Sequence, residues 1–260
     1  MFHTTTRRRA LAALASFAML GALALPAADS AADDAPLLVL DPGHMPEAPG
    51  ALSVRGIYEV DYNDRFAEEL APLLRAAGWR VVLTRERGQT MSLAERAALA
   101  NSLRADLFLS IHHDSTRDIF VTPSEYDGRP AQRTNGDARF RGYSLYVSER
   151  SAQLGASYTF ALLLAQRIRA LGRAPALYHA DLLYGSGRPL YDEQHGIYRY
   201  DNLAVLRRAE VPAVLLEIGV LPDEADEAWV STLENRHAMQ RAIVHAAQEY
   251  QKSRFYRAAP

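Results

Sequence analysis

Four side chains in this sequence have the types and positions to do chemistry together: His44, Glu59, His112 and Glu217. His44 follows an apolar run at 37–40 through the turn Asp41-Pro42-Gly43, His112 directly follows the apolar run 107–111, and Glu217 closes the run 211–216. Runs of this length bounded by turn residues read as buried strands. In an open α/β sheet, ligands bind outside the carboxyl ends of the strands, so these residues converge although they are far apart in the chain. Imidazoles with a carboxylate are a known ligand set for catalytic zinc, with one position left open for water. The chain has no cysteine. That excludes disulfides, thiolate metal sites, a cysteine nucleophile and a lipid-modified cysteine, and leaves His, Asp and Glu to build any metal site.

Each residue also has a plainer explanation. A single histidine after a strand is commonly a hydrogen-bonded turn residue, but three polar groups at equivalent strand ends are harder to assign to coincidence. Glu217 is the hardest to explain as structure, because an ionised carboxylate closing an apolar strand needs a charged partner. Glu59 is the best candidate for a third ligand, since it precedes a helix that starts near Tyr62 on the connection leaving the first strand. On pattern alone, though, it reads better as a helix N-terminal acid favoured by the macrodipole. His113 competes with His112, and strand alternation alone excludes neither. Asp41 either orients His44 through its second ring nitrogen or stabilises the turn.

The elements that position these groups alternate. After the first strand (36–40), residues 62–77 carry Phe66, Leu70, Leu73 and Leu74 at helical spacing and end at Gly78, a C-cap signal. A strand is predicted at 79–84. A helix follows to about Asn101, opened by the capping box Ser92-Leu93-Ala94-Glu95. Further strands are predicted at 107–111, 143–147 and 211–216, with helices at 154–171 and 235–250. This order predicts a single α/β domain with a mainly parallel, twisted sheet flanked by helices on both faces. Two stretches, 114–142 and 174–202, are polar, turn-rich and long for connections, and are expected to shape a substrate groove.

The chain has 260 residues and a net charge of −2. A mildly acidic chain argues against a nucleic-acid partner, whose binding would need a basic face. Arg7, Arg8 and Arg9 precede an apolar run at 10–25, then Pro26 and a zone of small residues. These features predict a signal peptide over residues 1–32, of twin-arginine type or an ordinary arginine-rich one. The apolar run is short against the ~20 residues needed to span a bilayer, so no stable membrane insertion is expected after cleavage. The expected location is periplasmic or otherwise exported, and residues 33–260 form the catalytic domain.

Six segments resemble the zinc-dependent N-acetylmuramoyl-L-alanine amidases often called amidase 3. They are Leu38-Val39-Leu40-Asp41-Pro42-Gly43-His44, Tyr58-Glu59-Val60-Asp61-Tyr62-Asn63, Val81-Val82-Leu83-Thr84-Arg85, Ser92-Leu93-Ala94-Glu95-Arg96 with Ala100-Asn101, Ala105-Asp106-Leu107-Phe108-Leu109-Ser110-Ile111-His112, and Pro212-Ala213-Val214-Leu215-Leu216-Glu217-Ile218-Gly219. They occur in the family's order and cover most of the chain after residue 32.

The resemblance implies a Zn2+ ion held by His44, Glu59 and His112, with Glu217 as the catalytic glutamate that takes a proton from water and delivers it to the leaving amine. It moves Glu59 from structural acid to ligand and favours His112 over His113. The implied substrate is peptidoglycan or a muropeptide, cut between N-acetylmuramic acid and L-alanine of the stem peptide. Many members of the family are held in check by a helix that covers the metal, and an activator protein is a possible partner. The natural place for such a segment is 114–142, where Glu125 reads more simply as a solvated acid. The chain departs from the family's pattern at Met45-Pro46-Glu47-Ala48-Pro49-Gly50, at His113-Asp114 and at Val220-Leu221-Pro222-Asp223, which bears on substrate detail more than on the reaction. Two rival readings are a zinc hydrolase of small soluble amides or muropeptides, and a catalytically silent wall-binding protein of the same fold.

Overall fold

A computed structural model describes residues 35–258. The predicted signal peptide lies outside the described residues. Strand β1 (Leu37–Pro42) is buried along its whole length and pairs in parallel with β2 (Arg80–Leu83) on one side and β3 (Leu107–Asp114) on the other. Beyond β3 the sheet continues through β9 (Ala213–Val220), β6 (Ser144–Val147), β8 (Ile197–Arg199) and β7 (Leu190–Asp192). The seven-stranded order is β2-β1-β3-β9-β6-β8-β7. The expected mainly parallel α/β sheet is present, with antiparallel joins among the described strands only at β9–β6 and at β8–β7.

Helices cover both faces. The first helix, α1 (Glu59–Ala76), buries Phe66, Ala67, Leu70, Ala71 and Leu74, a spacing of three to four that makes one apolar stripe. Leu73, expected on that stripe, is exposed. With α3 (Leu154–Arg169) and α6 (Leu233–Ala258), α1 packs on the face that carries Leu38, Leu40, Leu109, Ile111 and Leu216. The opposite face carries Val39, Phe108, Ala213 and Leu215, under Ala100 of α2 (Leu93–Ser102) and Val205 and Leu206 of the short α4 (Ala204–Arg207). Each large side chain enclosed this way contributes about 1.5–3 kcal/mol. The Ser92–Glu95 capping box opens α2 as predicted, each side chain accepting from the other's backbone N–H.

Four features differ from the sequence reading. Helix α1 starts at Glu59, three residues before the expected Tyr62, so Glu59 occupies its first turn with Asp61. Strands β3 and β9 run past their apolar stretches, which places His112 and Glu217 inside strands instead of after them. The 114–142 stretch contains a hairpin, β4 (Val121–Tyr126) and β5 (Arg129–Thr134), turning at Asp127-Gly128 with both residues at positive φ. Asp-Gly is a strong hairpin signal, and it stood in the sequence. A helix α5 (Glu224–Ser231) also follows β9, N-capped by Asp223.

Candidate metal centre and its cleft

The arrangement around His44 begins with the turn after β1. His44 has φ 64, a left-handed conformation that costs a residue with a Cβ about 1–3 kcal/mol unless its surroundings impose it. Two enclosed arginines do so. Arg85 donates through Nε to the His44 carbonyl at 2.8 Å and through NH2 to the Gly43 carbonyl at 2.9 Å. Arg96 donates to the carbonyls of Pro42 and His44 and to Asp41 Oδ1. Asp41 accepts as well from Thr84 at 2.6 Å and from Ser110 at 2.7 Å. Its role is therefore to anchor Arg96 and the turn. The second ring nitrogen of His44, Nδ1, lies instead 3.1 Å from the Ala48 carbonyl.

Glu59, buried at the start of α1, faces both histidines. Its Oε2 is 2.9 Å from His44 Nε2 and its Oε1 is 2.9 Å from His112 Nδ1. The three residues each offer a ligand atom within 4.8 Å of the others, and the two rings meet edge to face with centroids 5.0 Å apart. Asn63 donates to Glu59 Oε1 at 3.2 Å, and the backbone N–H of His113 does so at 3.1 Å. Two glycines leave room for this grouping. A Cβ on Gly43 would sit 2.3 Å from the His112 ring, and one on Gly50 would sit 2.4 Å from Glu59 Oε2 and 2.7 Å from the His44 ring.

Alternation along β3 separates the two adjacent histidines. His113 continues the α1 face of Leu109 and Ile111, where it packs on Tyr62 and Phe66 and bonds Asn63 at 2.8 Å. Burial above all pushes its pKa down to about 3, so the ring is neutral. His112 faces the other way, beside Glu217, its register partner on β9.

The electrostatics follow from this packing. Burial works against a charged His44, yet the Glu59 carboxylate beside it carries its pKa above the usual imidazole value. Burial pushes the Glu59 carboxyl upward, but the His112 and His44 hydrogen bonds outweigh that and hold it well below the usual carboxylate range. Glu217 is the opposite case. Burial first, then the Asp114 and Glu59 carboxylates, push it well above the ordinary value, against the pull of Arg188. The charged partner expected for Glu217 is not found among the described residues, and its Oε2 is enclosed without a hydrogen bond.

His44, His112 and Glu217 line one cleft of about 370 Å3. Its far wall comes from the 174–202 stretch (Tyr178, His179, Arg188 and Tyr200) together with Asp114 and Tyr146. Asp114 Oδ2 accepts from Tyr178 OH at 2.8 Å and lies 2.5 Å from His179 Nε2. These residues were not singled out from the sequence, whose one signal was the abundance of Tyr, Gly, His and charge in that stretch. Residues 118–142 contribute nothing to the cleft wall, and Glu125 sits exposed on the hairpin.

The family model described as N-acetylmuramoyl-L-alanine amidase matches residues 38–249, a span that includes all four side chains. The chain belongs to that family. AmiC of Neisseria meningitidis serogroup B, named an N-acetylmuramoyl-L-alanine amidase, is 26% identical over 237 residues, covering 83% of this chain and 52% of AmiC. The chain thus spans about half the length of that relative. Among solved structures, the catalytic domain of the amidase CwlV from Bacillus (Paenibacillus) polymyxa var. colistinus matches with a TM-score of 0.62 at 25% identity, over 84% of this chain and 98% of that one. CwlD amidase from Clostridioides difficile, solved in complex with the GerS lipoprotein, shares the fold at a TM-score of 0.62 and 18% identity, over 84% and 99% of the two chains.

Proposed function

We propose that this amidase-family chain hydrolyses the bond between N-acetylmuramic acid and L-alanine of the peptidoglycan stem peptide, using a zinc ion held by His44, Glu59 and His112. The observation that carries this reading is the convergence of those three ligands within 4.8 Å, on the same cleft as Glu217. The donor set fits zinc: two imidazoles and one carboxylate leave a coordination position open. The glycines at 43 and 50 let the backbone approach these side chains where any Cβ would collide with them. When bound, zinc supplies Lewis acidity, polarising the scissile carbonyl and acidifying a water.

The chain's own residues do the rest. Ala48 holds His44 through Nδ1 and leaves Nε2 toward Glu59. Asn63 and the His113 N–H hold Glu59, fixing the carboxylate from behind as supporting partners of ligands commonly do. Glu217 takes the proton from water and delivers it to the leaving amine, a poor leaving group without it. Its Oε2 is enclosed without a hydrogen bond to the described residues, which leaves it free to take up that proton.

The wall substrate places the reaction outside the cytoplasm, in keeping with the export signal predicted for residues 1–32; no helix among the described residues is long and apolar enough to cross a membrane. This reading does not require an activator protein; CwlD amidase, which shares the fold, was solved in complex with the GerS lipoprotein. Mass analysis of a defined muropeptide digested by the zinc-loaded protein tests the reading. Free stem peptide and intact N-acetylmuramic acid are the expected products. Cleavage at a peptide bond within the stem, or none with any muropeptide, speaks against it.

A further inference from the structure

Arg188, half-buried on the cleft, stands apart from the more enclosed arginines. Arg85, Arg96 and Arg173 each pair with a carboxylate, respectively Asp64, Asp41 and Asp226. No carboxylate among the described residues pairs with Arg188, although its guanidinium lies 4.2 Å from the centroid of the Tyr200 ring and lines the cleft. Its hydrogen bonds use one nitrogen only: NH1 is 3.2 Å from Tyr146 OH and 3.3 Å from His179 Nδ1. Nε and NH2 make none to the described residues. They form the edge with which a guanidinium grips a carboxylate through two parallel bonds.

The surroundings hold that edge in place. His179 Nε2 donates to Asp114, which leaves Nδ1 as an acceptor facing Arg188. The Arg188 backbone N–H donates to the His179 carbonyl at 2.8 Å. The loop between them closes so tightly that a Cβ on Gly185 would sit 2.2 Å from the Tyr178 carbonyl. Asp114 is already engaged by Tyr178 and His179, so it does not supply the missing anion. Arg117, the other arginine on the cleft, spends NH1 on the carbonyls of Leu182 and Leu183.

We propose that the Nε and NH2 edge of Arg188 binds a carboxylate of the substrate, with Asp114, His179 and Tyr200 positioning it, so that this cleft selects an acidic peptide. The proposal rests on the amidase reading and deepens it: a stem peptide carries free carboxylates beyond its first residue, and Arg188 engages one of them while His44, Glu59, His112 and Glu217 surround the scissile amide.

The test uses the zinc-loaded chain and a set of soluble muropeptides in which each stem carboxylate is converted singly to the carboxamide. One carboxamide is expected to lower kcat/KM by about tenfold to a hundredfold, mainly through KM. Arg188→Met is expected to lose a similar factor on the fully acidic substrate and almost nothing on that carboxamide, while Arg188→Lys retains part of the preference. Equal losses on all substrates in Arg188→Met, with an unchanged melting temperature, would overturn the proposal, as would a wild type indifferent to every carboxamide. Should the wild type cleave no muropeptide, the amidase reading fails by itself. Calorimetric Kd values for the same compounds then decide the subsite: a carboxylate preference that Arg188→Met abolishes supports it, and equal affinities overturn it.

Discussion

Glu59 Oε2 lies 2.9 Å from His44 Nε2, while its other oxygen lies 2.9 Å from His112 Nδ1. One carboxylate on the first turn of α1 thereby joins the turn after β1 to the end of β3. In the metal-free protein, a proton shared with Glu59 keeps His44 more basic than an ordinary imidazole. A zinc ion has to displace that proton.

Zinc affinity is therefore expected to fall with pH over a window that opens above the ordinary imidazole pKa of 6.5, because His44 titrates higher than that. Ligands must be deprotonated to bind, so each proton displaced weakens apparent affinity about tenfold per pH unit below the pKa. Competition against a chromophoric chelator from about pH 9 to about pH 5 measures it. An affinity that stays flat through that range would contradict the shared-proton arrangement.

Gly50→Ala separates fold from metal. Its φ of 79 and the 2.4 Å approach to Glu59 Oε2 make any side chain collide with the ligands themselves. The variant is expected to keep its circular dichroism and to bind zinc about tenfold to a hundredfold more weakly. Wild-type affinity in a folded Gly50→Ala protein would show that the ligands do not depend on this approach.

Arg96→Met tests the support beneath His44. The pair Arg96–Asp41 is almost wholly enclosed, at 1% exposure on both sides. Removing one member leaves an uncompensated buried charge, at a cost of about 3–5 kcal/mol. Denaturant unfolding should show that loss together with weakened zinc binding. A change below about 1 kcal/mol would mean that Asp41 finds other partners in the variant.

Glu217→Gln is expected to stabilise the metal-free protein at neutral pH. The folded-state pKa of Glu217 is raised by burial and by Asp114 and Glu59, so the folded state holds a proton that the unfolded chain gives up. Stability is then lost as pH rises from about 4.5, the unfolded value, toward the raised folded one. The glutamine carries no such penalty. Thermal scans with chelator present should show Glu217→Gln melting higher than wild type at about pH 7 and equal to it near about pH 4. A variant that melts lower at neutral pH would contradict the assigned environment.

His44, His112 and Glu217 were legible in the sequence because each follows an apolar run, whereas Glu59 stood out as more than a helix N-terminal acid only through the family resemblance. The same runs concealed where the strands end. Polar residues after Ile111 and Leu216 read as loop, yet β3 and β9 continue through them, since the residues facing the cleft are polar where the chemistry is. Strand alternation left His112 and His113 open and only the family resemblance favoured His112; the packing of α1 then takes His113 onto Tyr62 and Phe66. The far wall was legible only as a stretch, since 174–202 was expected to shape a groove and does line the cleft, but its individual residues were not. The contact between Asp114 and His179 spans 65 residues, and strands β7 and β8, three residues each, are too short to show alternation. The hairpin at Asp127-Gly128 is different: its signal was present in a stretch whose polarity outweighed it.

Release of stem peptides from purified sacculi by the zinc-loaded protein, with chelator-treated and Glu217→Gln samples alongside, is the deciding experiment. Release is expected from the untreated wild type, with Glu217→Gln slower by about a hundredfold to ten-thousandfold while still binding zinc. Release that survives the chelator, or a Glu217→Gln variant within about tenfold of wild type, would contradict the proposed mechanism.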